Sequence, residues 1–221
     1  MISINTNYGG LYAANASRSS QALVDQAMER LSTGKRINYA KDDAAGQAIA
    51  VRLEAEIQGL AVAARNAADA QSLIDTAEGA LQESTSLLLR MRELAVQSSN
   101  STNSDADRAA LQTEAASLEA EISRIANTTT WGGKNLLDGS FSGDTSVAGR
   151  TFQIGTTSGE TIELSIPEMT ATAVTIGYSV ALSIGSFTGA QSAIGAIDAA
   201  LSGVNEVRGK MGAASNRLNS T

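Results

Sequence analysis

The stretch LEAEIQGLAVAARNAADAQSLIDTAEGALQESTSLLLRMRELA, residues 53–95, places an apolar residue at every seventh position. The repeating row is Leu53, Leu60, Ala67, Ile74, Leu81, Leu88 and Ala95. This repeat predicts one long helix, from Asp43 to Gln97, that packs through a heptad seam. A second apolar row shifts partway along, which indicates that the helix meets more than one neighbour. At 1.5 Å rise per residue the helix would be roughly 80 Å long.

Two shorter seams, with apolar residues spaced by three and four, predict two further helices. The first begins at Ser104 or Asp105, where Ser104 and Asp107 resemble a capping box. The second runs from Ile194 to Leu218. Between them, GRTFQIGTTSGETIELSIPEMT (149–170) alternates like a β-hairpin, and AVTIGYSVALSIGSFTG (173–189) predicts one or two more β-type runs.

These elements predict a mainly α fold. It is an elongated antiparallel helical bundle or coiled-coil rod, with a small β-rich insert between the second and third long helices. Residues 1–41 carry a weak amphipathic helix whose apolar side needs a partner, so we interpret them as an N-terminal assembly arm. The helical rod is then residues 42–130 with 188–221, and the β-rich variable insert is 131–187.

The composition excludes several kinds of chemistry. The 221 residues include no His and no Cys, which removes thiol and imidazole catalysis and zinc sites built on those residues. The net charge of −7 argues against nucleic-acid binding, and no apolar run is long enough to insert into a membrane. The N-terminus does not resemble a Sec signal peptide. Because no set of residues in the sequence combines a base, a nucleophile or metal ligands, we expect a protein that is not an enzyme.

Two acidic features remain as candidate sites. Asp42 and Asp43 precede the long helix, and because adjacent helical side chains point about 100° apart, we expect both to cap the helix rather than to catalyse. In DGSFSGD (138–144), oxygen-bearing side chains alternate as in calcium loops, although no acidic residue stands at the twelfth position. We interpret this loop as a polar turn, with a Ca²⁺ site as the alternative; its candidate ligands are Asp138, Ser140, Ser142 and Asp144. We expect no other cofactor.

Several motifs in order resemble one family. ERLSTGKRINYAKDDAAGQAIAVRL (29–53), GLAVAARNAADAQSLIDTAEGALQE (59–83) and LLRMRELAVQSSNSTNSDADRAALQTEAASLEAEISRIANTTTWGGKNLLDGS (88–140) are similar to the N-terminal region of bacterial flagellins. VRGKMGAASNRLNST (207–221) is similar to the start of that family's C-terminal region. The resemblance covers most of residues 1–140 and 190–221.

The resemblance implies a structural subunit of the bacterial flagellar filament that serves motility. Such a protein self-assembles with other flagellin subunits and is exported through the flagellar type III apparatus to the extracellular flagellum. It further implies contacts with an export chaperone and with the filament cap protein. The animal Toll-like receptor that senses flagellins is another implied partner. The positions that match its contact surface on flagellins are Arg90, Leu94 and Glu114, and the same surface serves contacts between subunits in the family.

One departure from the family concerns the C-terminal end. The family's C-terminal helix continues past a motif like NRLNST, whereas this chain stops at Thr221. We therefore expect the chain to lack the partner of residues 1–40 and to be monomeric.

Two alternative functions remain open from the sequence. One is a hook–filament junction protein, which Ala44–Ala45 without proline disfavours. The other is a surface module that binds a glycan or a host receptor.

Overall fold

The computed structural model describes residues 7–142, 149–171 and 183–220. It contains four helices in these ranges: α1 (Tyr8–Thr33), α2 (Ala44–Ser98), α3 (Asp105–Thr128) and α4 (Phe187–Asn219). Four short strands form two hairpins, β1 (Thr130–Trp131) with β2 (Lys134–Asn135), and β3 (Arg150–Gln153) with β4 (Thr161–Leu164). A 3₁₀ turn spans Ser140–Ser142. The mainly α fold with a small β-rich insert is confirmed.

The chain divides into two compact units, Met1–Gln58 and Gly59–Thr221. The first unit contains α1, the connector 34–43 and the first turns of α2. Helix α1 ends at Gly34, whose left-handed backbone (φ 67°) suits glycine and terminates the helix. The three-part division into arm, rod and insert stays a prediction.

In the second unit, α3 and α4 both run antiparallel to α2. Arg90 of α2 bonds to Glu114, and the carbonyl of Ser98 accepts from Arg108, so the α3 numbers fall as the α2 numbers rise. Along α4, Gln71 bonds to Ser215 and Arg92 to Asp198 in the same reversed sense. The prediction that α2 meets more than one neighbour is confirmed, because α3 and α4 both bond to it.

One continuous apolar core fills the second unit. The α2 seam supplies Leu73, Ile74, Ala77, Leu81, Leu88, Met91, Leu94 and Ala95. The insert packs Phe141, Ile162, Leu164 and Ile166 into the same cluster, which ties it to the bundle. Transfer of these side chains out of water is the main stabilising term, at roughly 25 cal/mol per Å².

The predicted starts of α2 and α3 and the hairpin are confirmed, whereas α4 begins at Phe187, before the expected Ile194. The Ser104 hydroxyl accepts the Asp107 N–H at 3.2 Å while Asp107 accepts the Ser104 N–H at 3.0 Å, which completes the capping box of α3. Strands β3 and β4 pair in register from Arg150↔Leu164 to Gln153↔Thr161. Most of the further β-type run at 173–189 lies outside the described residues, and its last three residues begin α4 instead, because Ser186 caps that helix.

A buried polar cluster closes the end of the bundle where α2 turns into α3. The Arg108 guanidinium is buried and donates to three carbonyls, those of Ser98, Asn100 and Asn103, at 2.9–3.0 Å. The Ser98 hydroxyl donates to the carbonyl of Ile184, which holds the segment before α4 to the same point. The bond to Ser98 satisfies a carbonyl that the end of α2 leaves without a helical partner, and the other bonds satisfy carbonyls of the α2–α3 connector and of the segment before α4.

None of the described helices combines the length with the apolarity that crossing a bilayer requires.

Candidate functional site

Asp43 begins the long helix through a side-chain cap. Its Oδ1 accepts the N–H of Gly46 at 2.8 Å, and its carbonyl accepts the N–H of Gln47 at 2.9 Å. A Cβ on residue 46 would collide with the Asp43 carboxylate, so glycine in DDAAG lets the cap close. Arg36 lies 3.8 Å from the same carboxylate. Asp43 therefore has a structural role in this position.

Asp42 does not cap α2, so the expectation that both aspartates cap that helix is wrong for this residue. Its Oδ2 instead accepts the N–H groups of Asn38 and Tyr39, and its Oδ1 accepts from the side chain of Gln26 on α1. The Tyr39 N–H, with weaker help from Asn38, Gln26 and Arg30, holds the pKa of Asp42 below its ordinary value against the opposing effect of burial. The residue fastens the connector 34–43 to α1.

The Asp138 loop uses its oxygens internally. Oδ2 of Asp138 accepts from the Asn135 side chain, while Oδ1 accepts both the N–H and the hydroxyl of Ser140. Burial alone raises the pKa of Asp138, but these hydrogen bonds outweigh it and lower that pKa. No cluster of three or more potential metal ligands occurs among the described residues, and Asp144 and the Ser142 side chain lie outside them. The Ca²⁺ site stays a prediction.

The three positions expected to contact a receptor or a second subunit do not form one exposed face. Arg90 bonds to Glu114 at 2.8 Å and to Glu93 at 3.0 Å, and the Glu114 bond, followed by that of Glu93, raises the pKa of Arg90. Leu94 is only 1 % exposed and lies in the bundle core. The buried Leu94 presents no surface to a partner, whereas Arg90 and Glu114 are about half exposed; the expected contact itself stays a prediction.

The first unit exposes many large apolar side chains. Helix α1 has no buried residue. Its large apolar side chains are 54–80 % exposed, and we name them the α1 apolar set: Tyr8, Leu11, Tyr12, Leu23, Val24, Met28 and Leu31. The first turns of α2 also expose Ile49, Val51, Leu53 and Ile57. Patches of this extent mark interaction surfaces.

The sequence patterns found only part of this surface. The sequence pattern that indicates an amphipathic arm does not include the aromatic Tyr8 and Tyr12 or the exposed Met28; it consists of Leu11, Leu23, Val24, Ala27 and Leu31. The exposure of Leu53 was also missed, because a heptad pattern alone does not show which turns have a partner.

Comparison with known proteins identifies the family. Residues 4–142 match the model of the bacterial flagellin N-terminal helical region. The flagellin of Halalkalibacterium halodurans is 49 % identical over 96 % of this chain and 76 % of its own length. B-type flagellin of Pseudomonas aeruginosa is 51 % identical over 78 % of this chain, but the match spans only 34 % of that relative. The crystal structure of Bacillus cereus flagellin superposes with a TM-score of 0.59 at 32 % identity, covering 71 % of this chain and 85 % of that one. The chain belongs to the bacterial flagellin family.

Proposed function

We propose that the chain is a structural subunit of the bacterial flagellar filament and that it assembles with other flagellin subunits through α1. The observation that carries the proposal is the α1 apolar set, seven large apolar side chains on a helix that buries none of its residues. The family membership supports it, since the relatives are flagellins.

The physical basis is the difference between an isolated and an assembled helix. An amphipathic helix in water gains little from its apolar side, because most helical stability in proteins comes from packing that side. Burial of one large apolar side chain contributes about 1.5–3 kcal/mol before ordering costs. Seven such side chains in α1 therefore favour a bound state in which neighbouring helices cover them.

The remaining family-based expectations are part of the proposal. Export through the type III apparatus, an extracellular flagellar location, and contacts with an export chaperone and a cap protein all follow from a filament subunit. Recognition by the flagellin-sensing Toll-like receptor would depend on the exposed Arg90–Glu114 pair.

Immunogold electron microscopy tests the filament role. Antibodies raised against this chain are applied to flagella sheared from the producing cells, and pre-immune serum applied to the same flagella serves as the control. Gold along the whole filament is the expected result. A short band of gold at one end would assign the chain to the hook–filament junction, and unlabelled filaments would contradict the proposal.

A further inference from the structure

Met28 differs from every other methionine that the structure describes. Its side chain is 64 % exposed. Met91, Met169 and Met211 lie in the core at 3 %, 4 % and 0 % exposure. Because oxidation of methionine follows the exposure of its sulfur, dissolved peroxide reaches Met28 far more readily than these three.

The position of Met28 on α1 gives its oxidation a consequence. Val24 lies four residues before it and Leu31 three residues after it, so the three side chains share one helix face. Both neighbours are exposed apolar residues of the α1 apolar set. Met28 thus lies at the centre of an exposed apolar strip on α1.

We propose that Met28 is a peroxide-sensitive modification site whose oxidation blocks incorporation of the subunit into a filament, an inference that rests on the proposed function. In the reaction the thioether sulfur attacks one oxygen of hydrogen peroxide. An S–O bond forms as the O–O bond breaks, the sulfur loses two electrons, and the second oxygen leaves as water after it takes the proton of the attacked oxygen. Methionine sulfoxide reductases reduce the sulfoxide back to methionine, so these enzymes can reverse the block.

The block follows from the polarity of the product. A sulfoxide replaces a flexible apolar tip with a strong hydrogen-bond acceptor, which is costly to bury in an apolar interface without a donor. In the unassembled chain the same sulfoxide remains in water and costs nothing. Oxidation therefore disfavours the assembled state without unfolding the bundle of the second unit.

The experiment uses subunits obtained by depolymerising filaments from cells that carry either the natural chain or Met28→Leu. Both proteins are treated with hydrogen peroxide, mapped by peptide mass spectrometry and added to sheared filament seeds, whose elongation is followed by electron microscopy. We expect Met28 to oxidise at least about tenfold faster than the three core methionines. We expect treated natural subunits to elongate about tenfold more slowly, while treated Met28→Leu subunits elongate normally.

The outcomes separate the two proposals. Equal oxidation of all methionines, or equal elongation by the two treated proteins, would overturn the inference on Met28 while leaving the filament role intact. If untreated subunits of neither kind join the seeds, the proposed function itself fails, and the assembly consequence of oxidation fails with it. Recovery of elongation after treatment with methionine sulfoxide reductase would support the reversible form.

Discussion

The two ends of α2 share one heptad row but differ in the burial of its residues. Leu53 and Leu60 are about half exposed, at 48 % and 52 %, whereas Leu81 and Leu88 of the same row lie in the core. The residue type and the spacing do not change between them. A heptad pattern therefore indicates that the helix packs against a partner, but it does not indicate whether that partner belongs to the same chain.

The register of the bundle explains where burial begins. Asp198 of α4 bonds to Arg92, and Ser215 bonds to Gln71, so α4 covers lower numbers of α2 as its own numbers rise. Its last residues fall opposite the turns near residue 67, and Ala63 is the first buried residue of α2. Before Ala63, the heptad-row residues Leu53 and Leu60 are about half exposed.

Two leucines of that row, Leu81 and Leu53, should differ most in their contribution to stability. Leu81→Ala removes a fully buried side chain and should lower the free energy of unfolding by about 3 kcal/mol, because a cavity remains. Leu53→Ala should change it by less than about 0.5 kcal/mol in the unassembled chain. Urea denaturation followed by circular dichroism measures both. Equal losses would show that the two ends do not differ as described.

The second prediction concerns the closed end of the bundle. Arg108→Met removes the guanidinium that donates to three carbonyls of the α2–α3 turn and should cost about 2 kcal/mol of unfolding free energy. Arg108→Lys is the control, since it keeps the charge but cannot reach all three carbonyls, so it should fall between Met and the natural residue. If neither variant changed the midpoint of thermal denaturation, the contacts of the Arg108 guanidinium would not stabilise the fold.

The third prediction separates the two adjacent aspartates. Asp43→Ala removes the cap of α2 and should cost about 1 kcal/mol, while Asp43→Asn keeps an acceptor for the Gly46 N–H and should cost much less. Asp42→Ala should leave the helix start intact and instead loosen the connector. Amide hydrogen exchange reads both effects. Faster exchange at Gly46 in Asp42→Ala, with none in Asp43→Ala, would reverse the assignment.

The smallest expected effect is the pH response of the connector. Hydrogen bonds to Asp42, that of the Tyr39 N–H foremost, lower its folded pKa below the ordinary 3.8. The ionised Asp42 therefore contributes its full stabilisation of the connector above pH 3.8, and this stabilisation is lost as the pH falls through the lower folded pKa. Amide chemical shifts of Asn38 and Tyr39 should titrate below pH 3.8 and should not respond in Asp42→Asn. A midpoint above that value would contradict the assigned hydrogen bonds.

Sequence patterns predicted the bundle well because its local signals agree. The long helix, expected from Asp43 to Gln97, spans Ala44–Ser98, and the capping box and the 150–164 hairpin form where expected. These features depend on residues close in sequence, so spacing and capping chemistry suffice.

The features that were missed depend on tertiary contacts. Burial of the Arg108 guanidinium requires the α2–α3 turn to fold over it, and a charged residue gives no sign of this in sequence. Leu94 was assigned to a surface by resemblance, yet α2 turns it into the core. The hairpin around Gly132–Gly133, whose φ values are positive, carried a Gly-Gly signal that could have been used.

Side-chain footprinting of unassembled subunits and of intact filaments compares the two ends of α2 in both states. Hydroxyl radicals label exposed side chains, and mass spectrometry locates the labels by peptide. We predict strong labelling of the α1 apolar set and of Leu53 in the subunit, lost on assembly, with Leu81 and Leu88 protected in both states. Labelling of α1 that persists unchanged in the filament would contradict an assembly role for this helix.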